Sequence, residues 1–439
     1  MTGTWPARPI AVAQQPGRLT YTKIKVDDRF LAESCSIADY NRDGTPDISA
    51  GRRWYQGPFG PSGATEEHVY RAGHDELPRS GAMSELDTGV SDDWSCFAED
   101  VDGDGYTDII NITCPDVVDA NAVAPATRQR THTAIWYKNP GAAVSTSSAA
   151  WKAYPMHNDV RGEQHTLSDV DGDGRPEISG ACKSCNNSDP ETVTRGYYQM
   201  DTTRPTAGWT YHVVTKPYPW PGGGWLHGFG FGDVNRDGKI DLLERGGVWT
   251  NIQAARADTS AFYDVKLHGG GTDPKDGGSH MFAVDVDGDE DMDIISADAA
   301  HGYGISWHEQ TAPGKFTKHK FVGTPQESFA TDFSQPHALE VVDMDGDGVP
   351  DVVTGKSYLA HPEGLNDPDL RGEPVNYVFK IKRNTPSEAG SVTFEPHPID
   401  TSNTKVGVGR QIAVGHINLD GIMDVCVASK LGVYVFLGQ

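Results

Sequence analysis

The sequence predicts an all-β chain of seven sheet units, and three observations carry that prediction. A nine-residue phrase, clearest as Asp343-Met344-Asp345-Gly346-Asp347-Gly348-Val349-Pro350-Asp351, recurs seven times. Apolar stretches of strand length flank the copies, as Ala338 to Val342 and Val352-Val353 do here. The copies begin at residues 39, 100, 169, 233, 285, 343 and 416. A repeat of about 60 residues is too long for a solenoid turn and suits a four-stranded blade of a β-propeller with enlarged loops.

Residues 1–17, with Pro6, Pro9 and Pro16, read as a flexible lead, and 18–439 as a single seven-bladed domain. Leu19 to Val26 alternates as a strand with no earlier strands beside it, whereas the last unit stops at Gln439 after its third strand. The N-terminal strand is expected to complete the last blade and close the ring, removing an open sheet edge. In each unit the loop joins a first strand to a second. Aromatic third strands follow at Trp54-Tyr55, Ile135 to Tyr137, Tyr197-Tyr198, Val248-Trp249, Ile305 to Trp307, Tyr377 to Phe379 and Val433 to Phe436. Fourth strands are expected at Trp151 to His157, Trp209 to Val214, Phe262 to Leu267, Phe316 to Phe321 and Phe394 to Ile399.

Each loop presents oxygen side chains at its first, third, fifth and ninth positions. They are Asp39, Asn41, Asp43 and Asp47; Asp100, Asp102, Asp104 and Asp108; Asp169, Asp171, Asp173 and Glu177; Asp233, Asn235, Asp237 and Asp241; Asp285, Asp287, Asp289 and Asp293; Asp343, Asp345, Asp347 and Asp351. The weaker seventh is His416, Asn418, Asp420 and Asp424. Alternate oxygens turned inward suit a hard cation with six to eight oxygen ligands, so several structural Ca²⁺ sites are expected. The EF-hand alternative fails, because flanking helices and a glutamate at position twelve are lacking.

The formal charge of −25 has a local cause, since 24 acidic side chains occupy these named loop positions. The acidic balance argues against a nucleic-acid partner, and no apolar run is long enough for a membrane span. A monomer is expected. Six cysteines are too few for a disulfide scaffold; Cys182 and Cys185 form a lone CxxC, read as a loop disulfide or plain thiols. Calcium loops of this kind favour a secreted or periplasmic setting, with any signal peptide already removed ahead of Met1.

The repeated Asp-x-Asp/Asn-x-Asp-Gly-x-x-Asp between apolar strands resembles the FG-GAP/VCBS repeat family, which implies a seven-bladed propeller over almost the whole chain. Ser334-Gln335-Pro336-His337-Ala338, Thr354-Gly355-Lys356-Ser357-Tyr358 and His301-Gly302-Tyr303-Gly304 resemble a sugar-processing branch of that family. Propeller polysaccharide lyases that cleave at glucuronate and the propeller part of aldos-2-ulose dehydratase are similar in kind. The resemblance implies β-elimination on an acidic polysaccharide or oligosaccharide.

Strand order places the start of each first strand and the end of each second strand on the face opposite the acidic loops. His165, His227, His280, His337 and Arg410 precede first strands; Arg52, Arg53, Lys183, Arg245, His301, Lys356, His361 and Lys430 follow second strands. Elimination at a uronate needs a base, a cation for the enolate and an acid for the leaving oxygen. His280 and His337 are candidate bases, with His227 a further candidate; His301 and Tyr303 are candidate acids. Arg53, Arg245, Lys356 and Arg410 are expected to hold the carboxylate, and Trp94 and Trp225 to stack on sugar rings. Several histidines together also allow Zn²⁺, although no HxH or HxxxH pair supports it. The competing readings are a lectin or adhesion propeller without turnover, and a dehydratase acting on an oxidised sugar.

Overall fold

The computed structural model describes residues 19–439 except 72–90, 92, 114–132, 146–148, 184, 186–191, 202, 216–217, 220–225, 253–261, 265–276, 361–366 and 384–391. The expected lead, Trp225 and His361 lie outside the described residues.

After β1 (Tyr21–Asp27), blade one comprises β2 (Ser36–Ala38), β3 (Asp47–Ala50), β4 (Arg53–Gln56) and β5 (Glu66–Val69). Blade two comprises β6 (Ser95–Glu99), β7 (Asp108–Thr113), β8 (Thr133–Lys138) and β9 (Lys152–His157). Blade three runs through β10 (Leu167–Ser168), β11 (Glu177–Cys182), β12 (Thr192–Met200) and β13 (Trp209–Val213), with β14 (Tyr218–Pro219) added against β12. Blade four has β15 (Phe229–Gly232), β16 (Asp241–Glu244), β17 (Gly247–Trp249) and β18 (Phe262–Asp264). Blade five has β19 (Phe282–Val284), β20 (Asp293–Ala297), β21 (Ile305–Ala312) and β22 (Lys315–Val322). Blade six has β23 (Leu339–Val342), β24 (Asp351–Gly355), β25 (Asn376–Arg383) and β26 (Val392–Pro398). Blade seven is β27 (Ile412–Gly415), β28 (Asp424–Ser429), β29 (Gly432–Gly438) and β1.

The ring closes as expected. β1 pairs antiparallel with β29, Tyr21 opposite Gly438 and Ile24 opposite Val435. First strands of adjacent blades touch, β2 with both β6 and β27 and β15 with β19, so they surround the axis. Second strands such as Asp-Val-Val-Thr-Gly in β24 are buried along their length, whereas outer strands such as β22 are largely exposed. The fourth strand of blade one, Glu-Glu-His-Val, gave no alternation because its side chains lie mostly in solvent.

No blade has a core of its own. Each of seven apolar clusters joins residues of two neighbouring blades, for example Phe379 with Ile295 and Trp307, or Ile24 and Val435 with Ile48 and Tyr55. Third-strand aromatics also stack on fourth-strand partners within a blade: Trp54 on His68 at 4.0 Å, Tyr197 on His212 and Trp307 on His319 both at 4.7 Å.

The ninth loop side chain ties the loop to the strands around it. In six loops its two oxygens each accept a main-chain N–H, as Asp108 does from Val101 (3.1 Å) and Asn139 (2.7 Å). It stitches the loop to the second and third strands, and the buried position of Asp47, Asp108, Asp241, Asp293 and Asp351 follows from that duty.

Ile24→Ala would leave a cavity in the wedge between blades seven and one. The expected cost is about 2–5 kcal/mol in denaturant unfolding. An unchanged midpoint would mean that β1 lies outside the cooperative unit.

Candidate functional site: an axial histidine–glutamate cluster

Counting back six residues from the first loop position of each blade gives Glu33, Trp94, Glu163, His227, Ser279, His337 and Arg410. These residues stand just ahead of the first strands, and all are buried. Main-chain bonds fix several of them across blades: Glu163 N–H donates to Leu226 O at 3.1 Å, and Arg410 N–H to Glu33 O at 2.6 Å.

Three of these side chains meet a fourth, His301, which arrives from beyond β20. His301 Nε2 lies 3.2 Å from His227 Nε2 and 3.3 Å from His337 Nε2. Glu163 Oε1 is 3.4 Å from His227 Nε2, and its Oε2 is 3.7 Å from His337 Nε2. Ligands bound to zinc at about 2.0–2.1 Å in a tetrahedron stand about 3.3 Å from one another. Four separations within the cluster, 3.2 to 3.7 Å, thus lie near the edge length of such a site, with an imidazole-rich donor set suited to a divalent transition metal.

The surroundings support the same reading. Asp367 Oδ2 lies 3.4 Å from His301 Nδ1, the placement by which a carboxylate orients a ligating imidazole. Arg410 Nη1 is 3.1 Å from Glu163 Oε2, its Nε is 3.7 Å from Glu33 Oε2, and its guanidinium lies 4.0 Å above the Trp94 ring. Burial alone would raise the Glu163 carboxyl; Arg410 and His227 hold it well below the usual range. Burial, helped by His301, keeps the His337 imidazole neutral by lowering its pKa well below the ordinary value.

A second group sits two or so residues along the same segments. Lys356 Nζ donates to Ser334 Oγ at 2.5 Å and lies 3.5 Å from Asp369 Oδ2, while Tyr303 forms an isolated main-chain bridge with Ser334. Burial lowers the Lys356 ammonium pKa, opposed by Asp369. Burial raises the Tyr303 phenol, so it keeps its proton. Tyr303 and Asp369 are partly exposed and connect this group to solvent.

The candidate residues thus divide. His227, His301 and His337 come together; Tyr303 and Lys356 come together beside them. His280 joins neither: it is buried, and burial lowers its pKa to about 4. Its place five residues before the loop, one step off the ring position, turns it away. Arg53 opens β4 and pairs with Glu67 of the outer strand β5, so it serves the blade edge. Arg245 is half-buried at the β16–β17 turn. Arg410 is occupied by two glutamates and cannot clamp a substrate carboxylate as expected. Trp94, fully buried, donates its indole N–H to Ser91 O at 2.8 Å and offers its face to Arg410, not to a sugar. Glu163 was legible only through the repeat register, since two residues on, His165 attracts the eye and bonds Ser95 Oγ instead. Cys182 and Cys185 form a disulfide.

Residues 259–354 match the family described as FG-GAP-like repeat. Among solved structures, the exotype rhamnogalacturonan lyase YesX is similar at 10% identity and a TM-score of 0.46, over 98% of this chain and 75% of that one. The rhamnogalacturonan lyase PL11 of Bacillus licheniformis is similar at 12% identity and 0.42, over 98% and 74%. BBS1N in complex with ARL6DN is similar at 8% and 0.44, over 98% of both chains. Likeness at this level extends to proteins as different as these and carries no argument about activity. No curated protein matches the sequence. Among the described residues no helix is long and apolar enough to cross a membrane.

His280 gives a pH prediction. Its folded pKa lies below the unfolded value, so between pH 6.5 and about 4 the unfolded chain binds a proton that the folded chain refuses. Its stability contribution is present above pH 6.5 and lost as pH falls through that window. His280→Asn should flatten the pH dependence of unfolding there by on the order of 3 kcal/mol; parallel wild-type and variant curves would refute the buried neutral state.

Proposed function

We propose that this chain is a carbohydrate lyase of the β-eliminating type, acting on a uronate-containing polysaccharide or oligosaccharide at the axial cluster. The observation that carries the reading is the convergence of three imidazoles and a carboxylate, their ligand atoms within 4.8 Å of one another, with a buried amine and a phenol alongside. Glu163, His227, His301 and His337 would hold a divalent transition metal, which supplies charge to steady a carboxylate as negative charge develops on it.

The chain's own residues supply the proton handling. Lys356, with its pKa lowered by burial, suits removal of the proton α to the carboxylate; Tyr303, protonated and nearer solvent, suits delivery to the departing oxygen. Ser334 bonds Lys356 through its hydroxyl and bridges to Tyr303 through its main chain. As ligands, His301 and His337 point Nε2 inward and leave proton transfer to this pair. Arg410 positions Glu163 and offsets its buried charge.

The acidic loops on the opposite face are proposed Ca²⁺ sites. Their first carboxylates already accept loop amides, Asp39 from Asp43 N (3.1 Å) and Gly44 N (2.9 Å), so the turn is formed and remaining oxygens stay available. Gly44, Gly105 and Gly174 at the sixth position adopt the positive φ that the turn needs. With the disulfide, these loops favour an oxidising, calcium-rich setting outside the cytosol.

A second reading has its own observation: four protein ligands, all buried, form a closed set, the pattern of structural zinc. The ring would then be a sugar-binding module stapled at its axis. The two readings separate by experiment. Incubated with a panel of uronate polysaccharides, wild type should generate the ultraviolet absorbance of an unsaturated product. Lys356→Gln and Tyr303→Phe should lower that rate by about 10²–10⁴-fold while retaining metal by elemental analysis. Glu163→Gln should lose the metal. Full turnover in Lys356→Gln, or no product from any uronate, overturns the lyase reading; loss of melting temperature without any turnover to lose supports the staple.

A further inference from the structure

The seven loops are not equivalent. In each, one oxygen of the fifth side chain is consumed by the turn itself, as Asp347 Oδ1 accepts Val349 N–H; in every loop but that of blade two an oxygen of the third does likewise, as Asp345 Oδ1 accepts Asp347 N–H. The second oxygens turn towards one residue of the third strand, the cross-strand neighbour of the ninth position. By strand register this residue is Gln56, Lys138, Gln199, Thr250, Glu309, Lys380 and Leu437 in blades one to seven.

In blades two and six that residue is a lysine whose ammonium lies among the loop carboxylates. Lys138 Nζ contacts Asp102 Oδ2 and lies 2.7 Å from Asp104 Oδ2. Lys380 Nζ contacts Asp345 Oδ2 and lies 3.5 Å from Asp347 Oδ2. The Lys380–Asp345 pair is buried, with side chains 8% and 1% exposed. In blades one and three a neutral amide reaches the same oxygens: Gln56 Nε2 donates to Asp43 Oδ2 at 3.0 Å and Gln199 Nε2 to Asp171 Oδ2. In blade five Glu309 adds a carboxylate whose charge helps to raise Asp287, after burial.

We infer that the loops of blades two and six carry a built-in cation, the Lys138 and Lys380 ammonium groups standing where a divalent ion would sit, so that Ca²⁺ is confined to the other blades. A monovalent ammonium at the meeting point of the outward oxygens satisfies the same repulsion that Ca²⁺ would relieve. It also blocks the point of entry. This inference rests on the proposal that the remaining loops bind Ca²⁺.

The test is the number of Ca²⁺ bound, measured by competition with a chromophoric chelator on the full chain. Lys138→Met and Lys380→Met should each add one equivalent, and the pair two, whereas Lys382→Met, which removes an exposed ion pair with Glu395, should add none. Asp345→Asn should leave the wild-type number unchanged, and Asp287→Asn should lower it by one. In excess chelator Lys380→Met should melt below wild type and recover when Ca²⁺ is restored. Loss of one equivalent in Asp345→Asn, or no gain in folded Lys380→Met while Asp287→Asn still loses one, overturns the built-in cation. Wild type that binds no Ca²⁺, with Asp287→Asn unchanged, overturns instead the calcium reading beneath it.

Discussion

A blade cannot bury its own faces. Each four-stranded sheet has apolar side chains on both sides and finds a partner for them only in its neighbours, so every core cluster spans two blades. From this dependence the rest follows. The ring must close, and the pairing of β1 with β29 makes blade seven a complete wedge rather than an open edge. Closure fixes how near the first strands come to the axis, and that distance decides which side chains can meet there.

The axial cluster is a product of this geometry. Residues far apart in sequence, Glu163 and Arg410 among them, become neighbours because each occupies the same place in its own blade. Substitution at one repeated place in different blades writes a ring of chosen chemistry at the centre without altering any wedge. Here the ring reads acid, aromatic, acid, imidazole, hydroxyl, imidazole, guanidinium. Charge balance across it is local: Arg410 is shared by Glu33 and Glu163, and the aromatic plane of Trp94 lies under the guanidinium.

The fold was legible because its signals are local and repeated. Seven acidic phrases set the blade count, and Trp54, Trp136 and Trp307 marked third strands by alternation that the wedges require. β5 escaped notice because an outermost strand need bury little, and Glu66-Glu67-His68-Val69 carries no apolar period. The site was half legible. Histidines near strand starts suggested chemistry, yet His280 and His337 looked alike although one residue of offset keeps the first out of the cluster that the second joins. Arg410 and Trp94 looked like substrate contacts because sequence shows charge and aromaticity but not the buried partner already holding them. Glu163 was overlooked because glutamates are common in this acidic chain, and only its register distinguishes it. The calcium phrase likewise hid a difference between blades, since Lys138 and Lys380 lie some thirty residues downstream of the carboxylates that they meet.

The shared blade also joins the first described strand to the last. Gln439 N–H donates to Thr20 O at 3.0 Å, so the strand that begins the ring and the one that finishes it lie side by side, with the incoming one outermost. Blade seven can therefore form only after strands from both ends of the ring have met, so its assembly waits on the whole circuit.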